Sequence, residues 1–216
     1  MLHRILNDFT KVSNVDIDII EKYNRKLPNQ VIDIWKELGW GTFYNGYLKV
    51  INPDDYLEIV KKSYFKGNIS IPIMVTAFGD IITWESDGYA CIIKYRYGES
   101  DVISSRFEYF FDIIADEECA SDYFTIKKYE PAVKKLGCLE YDECFGYVPL
   151  LALGGKESVN NLKKVKIREH IAMIYEFVGE IWGVNHATKG VEILGQLPLN
   201  WGAIWIWIGS NFYSQN

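Results

Sequence analysis

Three β-rich runs, Ile71 to Phe78, Ile81 to Glu85 and Tyr89 to Tyr97, are separated only by Gly79-Asp80 and by Ser86-Asp87-Gly88. Turns this short force neighbouring strands to pair antiparallel, because a parallel crossover needs a dozen or more residues. A meander is therefore expected at the centre of the chain. Helical patterns on both sides of it make the expected class α+β: an antiparallel meander sheet flanked by helices, followed by a smaller, mainly helical C-terminal domain.

Ahead of the meander, Ile19, Ile20 and Tyr23 predict a short helix within Asp16 to Lys26, ended by the Leu27-Pro28 step. Val31, Ile34, Trp35 and Leu38 form one stripe of a second helix that stops at Gly39. Gly41 to Ile51 alternates loosely around Asn45-Gly46 and reads as one or two strands. Asn52-Pro53-Asp54-Asp55 is a helix start, with a capping Asn, an early Pro and two carboxylates at the positive end of the dipole; Leu57, Val60 and Tyr64 continue it. After the meander, a short strand near Val102 precedes a helix from Arg106 to Ile114 that carries Phe107, Phe110 and Phe111.

The polar break Asp116-Glu117-Glu118 divides the chain into an α+β domain, 1–115, a second domain, 116–183, and an atypical apolar tail, 184–216. Within the second part, Ser121-Asp122 opens a helical pattern through Phe124 and Ile126, which Pro131 restarts or kinks before Val133 and Leu136, and Gly137 ends it. Cys144 to Leu153 reads as extended around Pro149. Asn161 to Trp182 reads as one helix, apolar at Ile167, Ile171, Ile174 and Val178, with Lys163, Lys164, Lys166 and Arg168 near its start. In the tail, the eight apolar residues from Trp201 to Ile208 fall short of the roughly 18–20 a membrane span requires. No membrane association is expected, and a strand docked on the body or a non-native extension is the better reading.

A net charge of −6 argues against nucleic-acid binding, since neutralising phosphates needs a surplus of Lys and Arg. It suits a basic protein partner instead. The first ten residues hold no apolar run followed by small residues, so a cytoplasmic location is expected. Cys91, Cys119, Cys138 and Cys144 form no C-x-x-C pair and read as reduced thiols. His3, His170 and His186 match no metal-ligand spacing, and Gly154-Gly155-Lys156-Glu157-Ser158 lacks the offsets of a phosphate loop. Cys144, His170 and Glu143 are the only set from which a nucleophile and base can be drawn, and nothing in their spacing demands it. Neither catalysis nor a cofactor is expected.

Two acidic groups stand out: Asp116, Glu117, Glu118 and Asp122, then Glu140, Asp142 and Glu143. They flank one helical hairpin, and if they converge they would mimic a phosphate backbone. An ordinary solvated surface is the plainer account. Trp40, Tyr44, Tyr47 and Trp84 are candidate anchors for a desolvated interface, though packing in the core is the commoner fate of such rings.

Leu27-Pro28, Trp35, Leu38-Gly39-Trp40-Gly41, Gly46-Tyr47-Leu48, Asn52-Pro53, Tyr56, Phe78-Gly79-Asp80, Trp84-Glu85 and the Phe107 to Phe111 cluster together resemble the GAD-like domain of bacterial proteins. Leu136 to Leu139, Asp142 to Pro149 and Leu151 to Gly155 resemble the C-terminal domain that follows it in type VI secretion immunity proteins. The two resemblances span roughly residues 10 to 183, and the first half is also similar in layout to the SUKH immunity superfamily. They imply a protein that binds and neutralises a cognate toxin, often a nuclease, with no catalytic residues to carry over; the acidic balance of the chain makes a basic toxin the expected one. The contrasting expectation is a small-ligand or RNA-linked accessory module, which requires a concave pocket with convergent polar groups.

Overall fold

The computed structural model describes residues 8–183, and the apolar tail beyond them lies outside the described residues. The chain opens with strand β1 (Thr10–Ser13), helices α1 (Ile17–Tyr23) and α2 (Asn29–Glu37), and the hairpin of β2 (Trp40–Phe43) and β3 (Leu48–Val50). The hairpin turn uses left-handed backbone at Tyr44, Asn45 and Gly46, with φ of 57°, 56° and 82°. Asn and Gly accept that region more readily than most residues do, which is why Asn45-Gly46 is legible as a turn. The Asn52 side chain then accepts from Asp54 N at 3.1 Å, capping a 3-10 turn (Pro53–Asp55) that leads into α3 (Leu57–Ser63).

The meander follows as β4 (Ser70–Thr76), β5 (Ile81–Glu85), β6 (Ala90–Lys94) and β7 (Glu99–Ser104). The described sheet runs β1-β2-β3-β4-β5-β6-β7, antiparallel at each pairing, and ends on β10 (Trp182–Gly183), which lies parallel to β7. Because side chains alternate across a strand, Met74, Ile82 and Ile92 enter one core cluster while Val75, Ile81 and Ile93 enter the other. Both faces are covered, so these strands read as nearly continuous apolar runs rather than as alternating ones.

The first face is covered by α1 and α2, by α4 (Phe107–Ala115) and α5 (Glu117–Tyr123), and by α6 (Ile126–Leu136). Trp35, Phe107, Phe110, Phe111 and Phe124 supply much of the apolar volume there. The second face is covered by α3 and α7 (Ile167–Val178), through Val60, Ile167, Ile171 and Ile174. Both clusters take residues from before and after position 116. A two-stranded sheet, β8 (Glu143–Tyr147) with β9 (Leu162–Lys166), completes the fold and is tied to the large sheet by Phe145 N donating to Ala77 O at 2.7 Å.

Two sequence expectations need correction. The stretch from Asn161 to Trp182 is not one helix: Leu162–Lys166 form β9, in register with β8 from Glu143↔Lys166 to Tyr147↔Leu162, and the helix begins at Ile167. A run such as Leu-Lys-Lys-Val-Lys suits either period, and only the neighbouring β8 settles it. The helix expected to open at Ser121-Asp122 instead starts at Glu117, because the Asp116 carboxylate accepts from Cys119 N at 2.9 Å and caps it. Pro131 sits inside α6.

Candidate partner-binding surface

Lys49 points from β3 into the protein and is only 1% exposed. Its ammonium donates to the carbonyls of Glu140 (2.5 Å), Tyr141 (3.2 Å) and Glu143 (2.7 Å), so the loop before β8 is wrapped around a buried cation. Burial pushes Lys49 down to about 8, against the opposing pull of Cys144, Asp142, Glu143 and Glu140. Two of the acidic side chains there, Asp142 and Glu143, are also matched. Lys166 donates to Asp142 at 2.8 Å and holds its carboxyl below the usual range, and Glu143 lies 3.8 Å from both Lys164 and Lys166. The register of β8 on β9 creates this pairing, because it sets Lys166 opposite Glu143, the first residue of β8, with Asp142 just before it.

The first acidic group is in a different state. Asp116 caps α5, and those backbone donors lower its carboxyl; Glu118 is exposed on the same helix, and the side chains of Glu117 and Asp122 lie outside the description. Residues 99–122 carry eight carboxylates against the single Arg106, more than the whole excess charge of the chain, so the remainder is close to neutral. Within this stretch Glu99 has Lys94 at 3.7 Å. Glu108, Asp112 and Glu118 are exposed and have no ion-pair partner among the described residues. Glu108 and Asp112 were missed as candidates in the sequence, though a running charge count would have found them. No hydrogen bond or ion pair joins the two acidic groups among the described residues.

Of the candidate aromatic anchors, Tyr47 is corrected: it is fully buried, edge-on to Phe124 and Tyr129, and its hydroxyl accepts from Thr125 N at 2.9 Å. It has no surface to offer a partner. Trp40, Tyr44 and Trp84 are half-buried, each packed edge-on against a core ring, Trp35, Tyr47 and Phe107 respectively.

Residues 1–96 match the family model of the GAD-like domain, and residues 104–178 match that of the T6SS immunity protein Tdi1, C-terminal. The chain joins a GAD-like domain to a Tdi1-type C-terminal domain. Residues 97–103, which include most of β7, lie between the two matches. The fold is shared with the crystal structure of Atu4351 from Agrobacterium tumefaciens, with a TM-score of 0.69 at 18% identity over 89% of this chain and 97% of that one. No curated protein matches.

Inside the Tdi1-type part, Cys144 and His170 are both buried. Burial pushes the Cys144 thiol up to about 12 and lowers the His170 imidazole, so the thiol is held away from its nucleophilic form. The ring of His170 lies against Gly146, where an added Cβ would be 2.5 Å from Nε2, so only glycine fits beneath it. Among the described residues no cluster of three or more His, Cys, Asp or Glu is placed to hold a metal ion.

A cleft of about 330 Å³ opens at the seam between the GAD-like and Tdi1-type parts, with Asp55, Tyr56, Tyr141, Asp142, Arg168 and Glu169 among its lining residues. Its three carboxylates outnumber its one arginine. That balance disfavours a phosphate-bearing ligand such as a nucleotide or RNA. No described helix is long and apolar enough to cross a membrane.

Proposed function

We propose that this chain is an immunity protein that binds a cognate toxin, a nuclease, and blocks its active or substrate-binding surface in the cytoplasm of the cell that makes both. The observation that carries this reading is the match of residues 104–178 to the Tdi1 C-terminal family. The electrostatics support it. A nuclease presents basic groups to phosphate, so an inhibitor with locally uncompensated carboxylates competes for that surface. On this reading Asp116 and Glu118, with Glu117, Asp122 and the neighbouring Glu108 and Asp112, form the field that draws the toxin in. Of Glu140, Asp142 and Glu143, the last two contribute less, because lysines already pair with them. Trp40, Tyr44 and Trp84 act at most through their exposed edges. The chain works by occupying a surface and catalyses nothing itself.

Co-expression with the toxin encoded beside it tests the proposal. Growth should be restored, the two proteins should co-purify, and adding the purified chain should abolish the toxin's nuclease activity at equimolar ratio. If toxicity persists and no complex forms, the reading is wrong.

A further inference from the structure

The outer side of α7 carries exposed apolar groups among glutamates. At 100° per residue, burial of Ile167, His170, Ile171 and Ile174 leaves Glu169, Ala172, Met173, Glu176 and Phe177 facing solvent. Met173 is 48% exposed and Phe177 56%, and their i,i+4 spacing places them one above the other. Leu153, 55% exposed, belongs to the 3-10 turn Leu151–Leu153. Leu151 and Ala152 of that turn share a small cavity with His170 and Ile174, which puts the turn on the same flank of the helix. Glu169, Glu176 and Glu180 are exposed around these apolar groups and have no ion-pair partner among the described residues. The cation of the helix, Arg168, points elsewhere, toward Asp55 at 3.8 Å.

We infer that this face of α7 is where the toxin docks, with Phe177 and Met173 as apolar anchors and Glu169, Glu176 and Glu180 as an acidic rim for a basic surface. The inference rests on the immunity reading and adds the face to it. Aromatic and methionine side chains are enriched at interface centres, where a few residues carry most of the affinity, while rim charges mainly set partner choice and encounter rate. The charge of the rim also selects the occupant. A second copy docked through the same patch would bring glutamate against glutamate, whereas a basic protein is complementary. Because α4 and α5 cover the opposite face of the sheet, the attraction at this face comes from the glutamates of the rim itself, and the field of residues 99–122 acts only on the distant approach.

The experiment measures binding of the purified full chain to the co-encoded toxin, rendered inactive, for wild type, M173D/F177D and E169K/E176K. All these positions are exposed, and melting curves check that each variant is folded. The double anchor variant should bind about thirtyfold more weakly or worse, mainly through faster dissociation. The double lysine variant should associate more slowly and lose part of its salt dependence. If wild type binds and both variants bind within about threefold of it, the face is wrong while the immunity reading stands. If wild type does not bind, the immunity reading falls and takes this inference with it. If wild type is a dimer and M173D/F177D a monomer, the patch serves self-association and the inference is overturned. Should M173D/F177D melt early, E169K/E176K carries the decision.

Discussion

Around Asp116 the carboxylates of Glu108, Asp112 and Glu118 are exposed with no ion-pair partner among the described residues, whereas Asp142 and Glu143 ride on a loop wrapped around Lys49 and pair with Lys164 and Lys166. The two stretches contain the same residue types at similar density. What separates them is tertiary: one lies on helices whose described exposed charges are all acidic, and the other borders a strand that is mostly lysine. A local run of charge therefore does not define a potential. The potential depends on what the fold lays beside the run, and here it leaves the field of the protein concentrated near residues 99–122.

The largest test of this contrast is Lys49→Met. It keeps the length of the side chain but removes the donor from three backbone carbonyls in a site that excludes water. Stability should fall by about 3 kcal/mol in urea unfolding, the scale for leaving buried polar groups without partners. A loss under about 1 kcal/mol would mean the 140–143 loop is not organised from within. Glu118→Gln, at an exposed position, should leave stability within about 0.5 kcal/mol of wild type.

Next in size is an effect on rate. Reversing charge at Glu108, Asp112 and Glu118 together should slow association with the toxin about tenfold at low salt and flatten its salt dependence, because these charges act through the screened long-range field. Reversing Glu140 and Asp142 should change the rate less than about twofold, since Lys166 and its neighbours already cancel much of that potential. Equal effects from the two sets would erase the distinction. Stopped-flow mixing at two ionic strengths reads both.

Much of the sheet was legible because its signals are local. The turns at Gly79-Asp80 and Ser86-Asp87-Gly88 force antiparallel pairing whatever surrounds them, and Asn52-Pro53 announces a capped turn by itself. What failed depended on distant neighbours. β9 is a strand because β8 lies beside it, and Tyr47 is core because Phe124 and Tyr129, more than seventy residues on, close over it. The buried Lys49 carried no sequence signal at all, since a lysine in a short hairpin strand is ordinarily solvated. On α7 the inward stripe of isoleucines was visible, but the exposed Met173 and Phe177 stood out only once the covered side was known.

The smallest expected effect is in acid, and it separates the two regions by the pH at which each weakens. Burial lowers the His170 imidazole, so the folded protein favours the neutral ring while the unfolded chain protonates near pH 6.5. The unfolded state thus binds more protons as pH drops below about 6.5, and stability declines there. Asp116 behaves as a carboxylate whose folded form is lowered by the backbone donors it caps, so its contribution persists above the ordinary aspartate range and is lost only below about pH 4. The melting temperature should therefore begin to fall below pH 6.5 in wild type, and His170→Gln should remove that first decline while leaving the later one. Asp116→Asn should do the reverse, because the amide oxygen still caps α5 but no longer titrates. A first decline that survives in His170→Gln would show that the acid response of the β8–α7 side does not come from its buried imidazole.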